Sequence, residues 1–358
     1  MRYSVISWNV DRFFGSRGSP IAYALFNGEE SSPAMEAEQV ARKALTVAAA
    51  IDQVAQDSGP PLLVGLQEIE NVDLADQVAA AVTSAPLVSV EHLCEDETGF
   101  ALEGLDITLL VNTRAVTAVS RLWSHVTDRS FLTRDILECD MVVGAQQVSV
   151  LVNHWPSRLV SEAASQRVAA AHYVRGLVAD KTRYSLYQMW AGEFDAVVVP
   201  SQETIKRKAD VPVILMGDFN DEVFSESLEI LGSTSDAEAV VKDLKVRGRV
   251  RAERFRSYMG SRPLLFNPFW GLLTGSGSYY RSPRWRFYDQ ILLSRGLLLP
   301  EAPLAYVPGS ERIFAGPTVR LPDGSTTRLA NRGGKPVPFE PGKDGCSDHF
   351  PVVVSVEL

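Results

Sequence analysis

Val211-Pro212-Val213-Ile214-Leu215-Met216-Gly217-Asp218-Phe219-Asn220-Asp221 stands near the middle of the chain, and Ser347-Asp348-His349-Phe350-Pro351 stands near its end. The first stretch is an apolar run of strand length that ends in glycine and then offers a carboxylate and a carboxamide. Side chains two residues apart on a strand point to the same side, so Asp218 and Asn220 indicate a polar site at the end of a buried strand. The alternative is a polar turn, since Asp and Asn both favour turns.

Other predicted strands end in the same way, with polar groups after an apolar run. The periodicity predicts strands over residues 3–10, 62–66, 86–92, 105–112, 138–144, 147–153, 211–216, 286–293 and 350–356. It predicts helices from Ser32-Pro33 to about Gln56, over 74–82 and over 161–180, and a short helix after Asp221. The strand ends that carry polar motifs are Ser7-Trp8-Asn9, Gln67-Glu68, Asn153-His154-Trp155-Pro156-Ser157-Arg158 and Asp289-Gln290, besides the two stretches quoted above.

Composition indicates a globular protein, with 358 residues of which 46% are hydrophobic and 22% charged. No repeat or low-complexity linker divides the chain, so we expect a single domain over residues 1–358. Residues 183–209 and 311–345 look like insertions, and Asp323-Gly324 in the second is the signal of a hairpin turn. Either insertion could shape a substrate cleft.

Charge alone decides little about partners. The net charge of −9 argues against a protein that coats nucleic acid by bulk electrostatics. Residues 242–256 form a basic segment, with seven basic residues against Asp243 and Glu253. This segment could steer a polyanion, or it could be a solvated surface stretch.

The cysteines and the N-terminus bear on location. Cys94, Cys139 and Cys346 have neither the spacing of a zinc site nor an even count for a disulfide framework. The N-terminus alternates like a strand and has too short an apolar run for a signal peptide, and no stretch is long enough to span a membrane. We therefore expect a cytoplasmic protein without a membrane anchor, acting as a monomer.

Taken in order, the polar strand ends resemble those of the endonuclease/exonuclease/phosphatase superfamily, and the resemblance covers roughly residues 3–357. It implies a deoxyribonuclease I-like fold, a four-layer α/β/β/α sandwich of two packed β-sheets flanked by helices. It also implies metal-dependent hydrolysis of phosphate esters. Asn153 to Arg158, Gly104 to Ile107 and Arg134 to Leu137 look most like a bacterial branch of unassigned substrate.

The resemblance implies a metal site at Asn9, Glu68 and Asp348. These are hard oxygen ligands, which suit Mg²⁺ or Mn²⁺ better than zinc. Asp218 would activate or orient the attacking water, and Asn220 would hold the phosphate or that water. Each of the metal-site residues could instead be a strand-end cap or a solvated acid.

Two histidines are implied to handle protons and phosphate oxygens. His349 is the stronger acid–base candidate, with Asp289 as the partner that fixes its tautomer. His154 would protonate the leaving oxygen, with Asp106 proposed as its acid by strand position. His92, His125 and His172 lie outside the motifs and are interpreted as structural or exposed.

Phosphate contacts are predicted at Arg134 and Arg158, whose guanidinium groups can meet a phosphate with two hydrogen bonds. Asn153 is a further candidate, either as a phosphate contact or as a group that hydrogen-bonds another site residue. Phe266 to Trp270 and Tyr279-Tyr280 could stack on bases, although core packing is the stronger interpretation.

These observations predict a metal-dependent phosphodiesterase, with nucleic acid as the first-choice substrate and an endonuclease or exonuclease activity. The alternative is a phosphatase or phosphodiesterase acting on phospholipid headgroups, inositol phosphates or other small phosphate esters. A non-catalytic binding protein on the same scaffold is the hypothesis of a different class. It is disfavoured because every acid, amide and histidine that the chemistry needs is present in order.

Overall fold

A computed structural model describes residues 1–15, 35–90, 106–125, 127, 136–158, 163–184, 202–242, 263–340 and 343–358. Its strands are β1 Arg2–Phe13, β2 Pro61–Ile69, β3 Leu87–Ser89, β4 Asp106–Asn112, β5 Val116–His125, β6 Ile136–Val143, β7 Gln146–His154, β8 Val213–Asp218, β9 Ser233–Thr234, β10 Leu265–Phe266, β11 Tyr279–Arg281, β12 Arg284–Arg286, β13 Asp289–Leu293, β14 Ala305–Tyr306, β15 Arg312–Ile313, β16 Thr318–Arg320, β17 Thr326–Arg328 and β18 Val352–Glu357. Its α-helices are α1 Ala37–Ser58, α2 Val72–Ala81, α3 Ala163–Thr182, α4 Gln202–Ala209, α5 Glu226–Leu231 and α6 Ala237–Lys242, and short 3₁₀ helices span Pro268–Leu272 and Arg295–Leu297.

Most strands form two large sheets. The first has the order β14-β18-β1-β2-β4-β3, with β15 also paired to β18, and the second has the order β5-β6-β7-β8-β13-β10-β9. The pairs β1–β2 and β7–β8 are parallel, so the carboxyl ends of these four strands lie at one edge of the sheets. Two hairpins, β11–β12 and β16–β17, stand outside the large sheets.

The two sheets pack face to face around a central core to which both contribute. Val5, Leu63 and Leu109 of the first sheet meet residues of the second such as Val150 and Met216. A second cluster packs α1 and α2 on the outer face of the first sheet, and a third packs α3 and α5 on the outer face of the second. The predicted four-layer α/β/β/α sandwich is confirmed.

Two element predictions were wrong in detail. The first helix begins at Ala37 rather than at Ser32-Pro33, because Glu36 and Gln39 form a capping box there. Strand β5 was not predicted at all. It is an edge strand whose residues between Val116 and His125 are mostly exposed, so it lacks the apolar signal on which the prediction relied.

The hairpin predicted from Asp323-Gly324 is confirmed. Gly324 has a φ of 84°, and its amide donates to the carbonyl oxygen of Leu321 at 3.0 Å, which closes the turn between β16 and β17. Val319 of this hairpin joins the apolar cluster that contains α1. The basic segment beyond Lys242 and most of the first predicted insertion lie outside the described residues. None of the helices in the described part of the chain is both long and apolar enough to cross a bilayer.

Candidate active site

Strand register brings three of the predicted site residues into one row. His154 at the end of β7 pairs with Asp218 at the end of β8, and Asp218 pairs on its other side with Asp289 at the start of β13. In the other sheet Asn9 of β1 pairs with Gln67 of β2, one residue before Glu68. Polar groups that lie far apart in sequence therefore meet at one edge of the sandwich.

Gly217 explains how the sequence permits this row. A Cβ at this position would lie 1.9 Å from the carbonyl oxygen of Asn153 on the neighbouring strand, and the residue has a φ of 149°. Only glycine allows β7 and β8 to approach this closely. The close approach sets the Asp218 carboxylate beside His154.

The Ser347-Asp348-His349 segment is anchored to β1 by two hydrogen bonds, and a third closes the segment on itself. Ser347 Oγ donates to the carbonyl oxygen of Asn9 at 2.6 Å and accepts from the His349 amide at 3.0 Å. Trp8 Nε1 donates to the carbonyl oxygen of His349 at 3.0 Å. These bonds hold the histidine at the sheet edge, because each end of the short segment is tied to the same strand.

His349 and Asp289 form a buried pair. Nδ1 of His349 lies 2.7 Å from Oδ2 of Asp289, and both side chains are at least nine-tenths buried. Burial alone lowers the pKa of His349, but the charges of Asp289, Asp348 and Asp218 outweigh it and raise this pKa well above its usual value. These charges thus favour the protonated imidazole, whose Nε2 lies 3.9 Å from Asp218 Oδ2.

Asp218 lies between the two histidines. Its Oδ2 is 3.6 Å from His154 Nε2 and 3.9 Å from His349 Nε2. Burial and the charge of Asp289 raise the pKa of Asp218 to about 7, against the opposing charge of His349. A carboxylate with this pKa can accept a proton near neutral pH.

Asn9 and Glu68 form the other half of the site. Asn9 Nδ2 donates at 3.1 Å to both Glu68 Oε1 and Asp218 Oδ2, so it joins the two carboxylates. The carbonyl oxygen of its amide accepts from the Asp11 amide at 3.0 Å, and Arg12 N donates to Glu68 Oε2 at 3.0 Å. An amide oxygen has a second lone pair, so this bond leaves Asn9 able to bind a cation.

Backbone strain is concentrated here. Within the described ranges, the non-glycine residues with positive φ are Asp11 (54°), Arg12 (50°), Glu68 (62°) and Asn220 (49°). Such conformations cost on the order of 1 to 3 kcal/mol each, and they persist where the surrounding structure enforces them. All four residues belong to this site or adjoin it, as is typical of functional sites.

The donors at this site fit a hard divalent cation. The Asp348 side chain is 38% exposed, and its pKa is raised by burial and by the charges of Glu68 and Asp289, against that of His349. The carboxylates therefore repel one another, and a cation bound by Asn9, Glu68 and Asp348 would relieve that repulsion. The oxygen-rich donor set suits Mg²⁺ or Mn²⁺.

Asp218, Asp289 and His349 form a second group that could hold a cation, since one ligand atom from each lies within 4.8 Å of the others. Asp289 Oδ1 is buried there without a hydrogen-bond partner. Metal binding at this group through His349 Nε2 would require the imidazole to lose its Nε2 proton, which the neighbouring carboxylates stabilise. This requirement favours Glu68 and Asp348 as the cation site.

Asn153 does not fit the prediction of a phosphate contact. It is fully buried, and its Nδ2 donates to the carbonyl oxygens of Leu151 and Met216 while its Oδ1 accepts from Trp155 Nε1 at 3.1 Å. Both ends of the amide are therefore used inside the protein. The correction is that Asn153 holds the strands together beside the site.

Arg158 and Asn220 stabilise the turn after β8. Arg158 Nε donates to the carbonyl oxygen of Asn220 at 2.9 Å, and its guanidinium pairs with Asp221. Asn220 Nδ2 donates to the carbonyl oxygen of Trp155 at 2.9 Å. A phosphate contact from Arg158 stays a prediction, and so does one from Asn220.

Two further predictions remain open. Asp106 begins β4, and its Oδ1 accepts from the amide of Ile107 at 2.7 Å. The carboxylates that the structure places near His154 Nε2 are those of Asp218, at 3.6 Å, and Glu68, at 3.7 Å, so the pairing with Asp106 stays a prediction. Arg134 lies outside the described residues.

Sequence reasoning missed Lys43 as a residue that supports the site. This lysine lies on the buried face of α1, its Nζ donates to the carbonyl oxygen of Asp11, and it lies 5.4 Å and 5.0 Å from the ring centres of Phe13 and Phe339. Burial lowers the pKa of Lys43 despite the opposing charge of Asp11. Its position on the apolar face of α1 was the one available signal.

Tyr279 was considered only as a base-stacking or core residue. Its ring stacks on the imidazole of His349, with ring centres 4.6 Å apart. The backbones of the two residues also form an isolated antiparallel β-bridge. In the other aromatic stretch, residues 266–270, Phe266 and Trp270 pack against the central core, and Phe269 is fully buried in it. The core interpretation of that stretch is confirmed.

Comparison with known families shows which family the chain belongs to. The model of the Endonuclease/Exonuclease/phosphatase family matches residues 4–185 and 196–358. The chain belongs to this family. Its members are phosphoesterase hydrolases and generally use divalent metals, so the site described above lies in a phosphoesterase scaffold.

Solved structures show the same fold at low sequence identity. A humanized TDP2 from D. rerio is 13% identical with a TM-score of 0.51, and the match covers 100% of this chain and 99% of that one. A mannosyl-6-phosphatase from Bacteroides thetaiotaomicron is 13% identical with a TM-score of 0.51, covering 99% and 100%. An endonuclease/exonuclease/phosphatase family protein from the same species is 13% identical with a TM-score of 0.50, covering 99% and 95%. No curated protein matches the chain.

Proposed function

We propose that this protein is a metal-dependent phosphodiesterase whose substrate is nucleic acid. The observation that carries the proposal is the position of Asp218 between two histidines, 3.6 Å from His154 Nε2 and 3.9 Å from His349 Nε2. A phosphate ester needs a group that accepts a proton from water and a group that gives one to the leaving oxygen. His154, Asp218 and His349 together supply both groups.

The residues divide the work by position. Asp218 orients the attacking water and takes its proton, and His154 protonates the leaving oxygen. His349, held by Asp289 at 2.7 Å, donates from Nε2 to a non-bridging phosphate oxygen. Mg²⁺ or Mn²⁺ bound by Asn9, Glu68 and Asp348 would neutralise phosphate charge and stabilise the charge that develops in the transition state.

The test is hydrolysis in Mg²⁺ or Mn²⁺ of bis-p-nitrophenyl phosphate, plasmid DNA, single-stranded DNA, RNA, sphingomyelin and inositol phosphates. Each is repeated with Glu68→Gln and with Glu138→Gln, where Glu138 is a buried glutamate outside the site that pairs with His125 and Lys181. Cleavage of nucleic acid that is lost in the first variant and kept in the second supports the proposal. Turnover of lipids or small phosphates alone would transfer the protein to the phosphatase alternative.

A further inference from the structure

A cavity of about 350 Å³ opens between the β11–β12 hairpin and Arg158. We call it the arginine cavity, because four of the residues that line it are Arg158, Arg281, Arg284 and Arg286; Tyr288 lies at its inner end. The chain as a whole carries a net charge of −9, so a cavity lined by four guanidinium groups is an exception to its charge balance.

Two of these arginines are committed to the protein. Arg158 pairs with Asp221 in the turn after β8, and Arg286 Nη1 lies 3.3 Å from Glu222 Oε1. Arg281 and Arg284 are exposed, and among the residues that the structure describes no carboxylate lies within 4.0 Å of either guanidinium. The cavity therefore keeps two positive charges that no described acid balances.

The register of the hairpin sets these two charges against each other. Arg281 of β11 is directly paired with Arg284 of β12. Like charges opposite each other across two antiparallel strands destabilise the pairing. Folding gains nothing from this arrangement, but an anion bound between the two side chains would be held by both.

An aromatic stack connects the cavity to the active site. The Arg158 guanidinium lies 5.4 Å from the ring centre of Tyr288, Tyr288 stacks on Tyr279 at 5.7 Å, and Tyr279 stacks on His349 at 4.6 Å. The cavity thus begins two rings from the imidazole that faces the reacting phosphate. A second phosphate of the same substrate could reach it, whereas the reacting phosphate could not.

We infer that the arginine cavity binds a second phosphate group of the substrate, through Arg281 and Arg284, while the reacting phosphate lies at His349. Guanidinium groups recognise phosphate with paired, charge-assisted hydrogen bonds. This inference rests on the proposed phosphoesterase function and narrows it to substrates with two or more phosphates. Nucleic acid meets that condition, and so do inositol polyphosphates.

The test compares the double variant Arg281→Gln/Arg284→Gln with Arg320→Gln/Arg328→Gln, which makes the same charge change on the β16–β17 hairpin. We expect KM for a single-stranded oligonucleotide to rise at least about tenfold in the first variant, with bis-p-nitrophenyl phosphate turnover unchanged. The salt dependence of oligonucleotide binding should fall by a slope of about 0.7, the value for one lost phosphate contact on a single strand. The control variant should change neither quantity.

Two additional arms identify the source of the phosphate and separate this inference from the proposed function. If the protein hydrolyses inositol phosphates instead, the loss should appear with inositol trisphosphate and be absent with inositol monophosphate. If it hydrolyses no phosphate ester, the proposed function fails. Fluorescence anisotropy of a labelled oligonucleotide, with inositol hexakisphosphate as competitor, still measures binding at the arginine cavity. Equal behaviour of the two double variants on every polyphosphate would overturn the inference.

Discussion

Two buried groups of acids and histidines in the described part of the chain shift carboxyl pKa values in opposite directions. In one, Glu138 of β6 meets His125 Nε2 at 2.7 Å, Lys181 Nζ at 2.6 Å and Arg121 Nε at 3.4 Å. Burial raises the pKa of Glu138, but the hydrogen bonds of His125 and Lys181 outweigh it and bring this pKa to about 2. We call these residues the Glu138 cluster.

The active site has the reverse balance. Burial and neighbouring carboxylates raise the pKa of Asp218 to about 7 and that of Asp11 to about 6. In the Glu138 cluster the chain supplies enough cations to neutralise its acids, whereas the active site holds acids in excess. This difference supports a structural role for the first group and the proposed cation site at the second.

The largest effect should come from Glu68→Gln. We expect a loss of hydrolysis of at least about 10³-fold, because the variant removes a charge from the cation site while keeping its shape. Glu138→Gln makes the same chemical change in the other cluster and should retain activity. Thermal shifts check the cause: Mg²⁺ should raise Tm in wild type and in Glu138→Gln, but not in Glu68→Gln. Comparable losses of activity in both variants would remove the functional distinction between the clusters.

His349→Ala should reduce kcat by about 10² to 10⁴-fold, as the loss of one proton-handling group does. Asp289→Asn should reduce it less, because the imidazole stays in place without the charge that keeps it protonated. His125→Ala is the matched control in the Glu138 cluster, and kcat should be unchanged in any fraction that folds. The proposed two-histidine site also requires a severe loss in His154→Ala, and wild-type kinetics in that variant would leave His349 as the sole proton-handling histidine.

The two glutamate variants should rank in the opposite order when their stability is measured instead of their activity. Glu138→Gln should lower the free energy of unfolding by about 3 kcal/mol, because it removes the buried carboxylate that His125, Lys181 and Arg121 contact. Glu68→Gln should lower it little or raise it, since Glu68 adds to the repulsion felt by Asp348 and Asp11. Urea unfolding of both variants measures this. A larger loss in Glu68→Gln would mean that the active-site acids also stabilise the fold.

The sequence predicted the active-site edge better than the Glu138 cluster. Asp218 and His154 follow apolar runs, and the parallel strands β7 and β8 bring these two carboxyl ends together. His349 instead precedes the apolar run of β18. Strand β5, which carries His125, is largely exposed and gave no such signal. His125 and His172 were interpreted as structural or exposed, and this is confirmed: His125 is buried with Glu138 and His172 is exposed, while His92 lies outside the described residues.

Residues that act through tertiary contacts could not be predicted. The position of Lys43 on the apolar face of α1 indicates burial, but only the packing of Phe13 and Phe339 around it shows its place under the site. Arg281 and Arg284 are three residues apart, a spacing that strand periodicity places on opposite faces. The turn at Ser282-Pro283 sets the hairpin register that pairs these two arginines.

Lowering the pH should distinguish the Glu138 cluster from the active site further. The folded-state pKa of Glu138 is about 2 and its ordinary value is 4.5, so its contribution to stability is complete above about pH 4.5 and is lost as pH falls toward 2. The contribution is roughly 3 kcal/mol. Unfolding free energies between pH 2 and 6 should therefore fall more steeply in wild type than in Glu138→Gln. Parallel curves would show that Glu138 is not ionised in its pairs.

The smallest effect tests the aromatic partner of each histidine. Tyr279 stacks its ring face on His349, whereas Tyr173 meets His125 edge-on and has its hydroxyl 3.0 Å from Nδ1. Tyr279→Phe should therefore leave kcat near wild type, and Tyr279→Leu should lower it about three- to tenfold, the range expected for a lost ring contact. Tyr173→Phe should instead cost about 1 kcal/mol of stability with unchanged kcat, because it removes a hydrogen bond. A loss of kcat in Tyr279→Phe as large as in Tyr279→Leu would show that the hydroxyl, and not the ring, supports the imidazole.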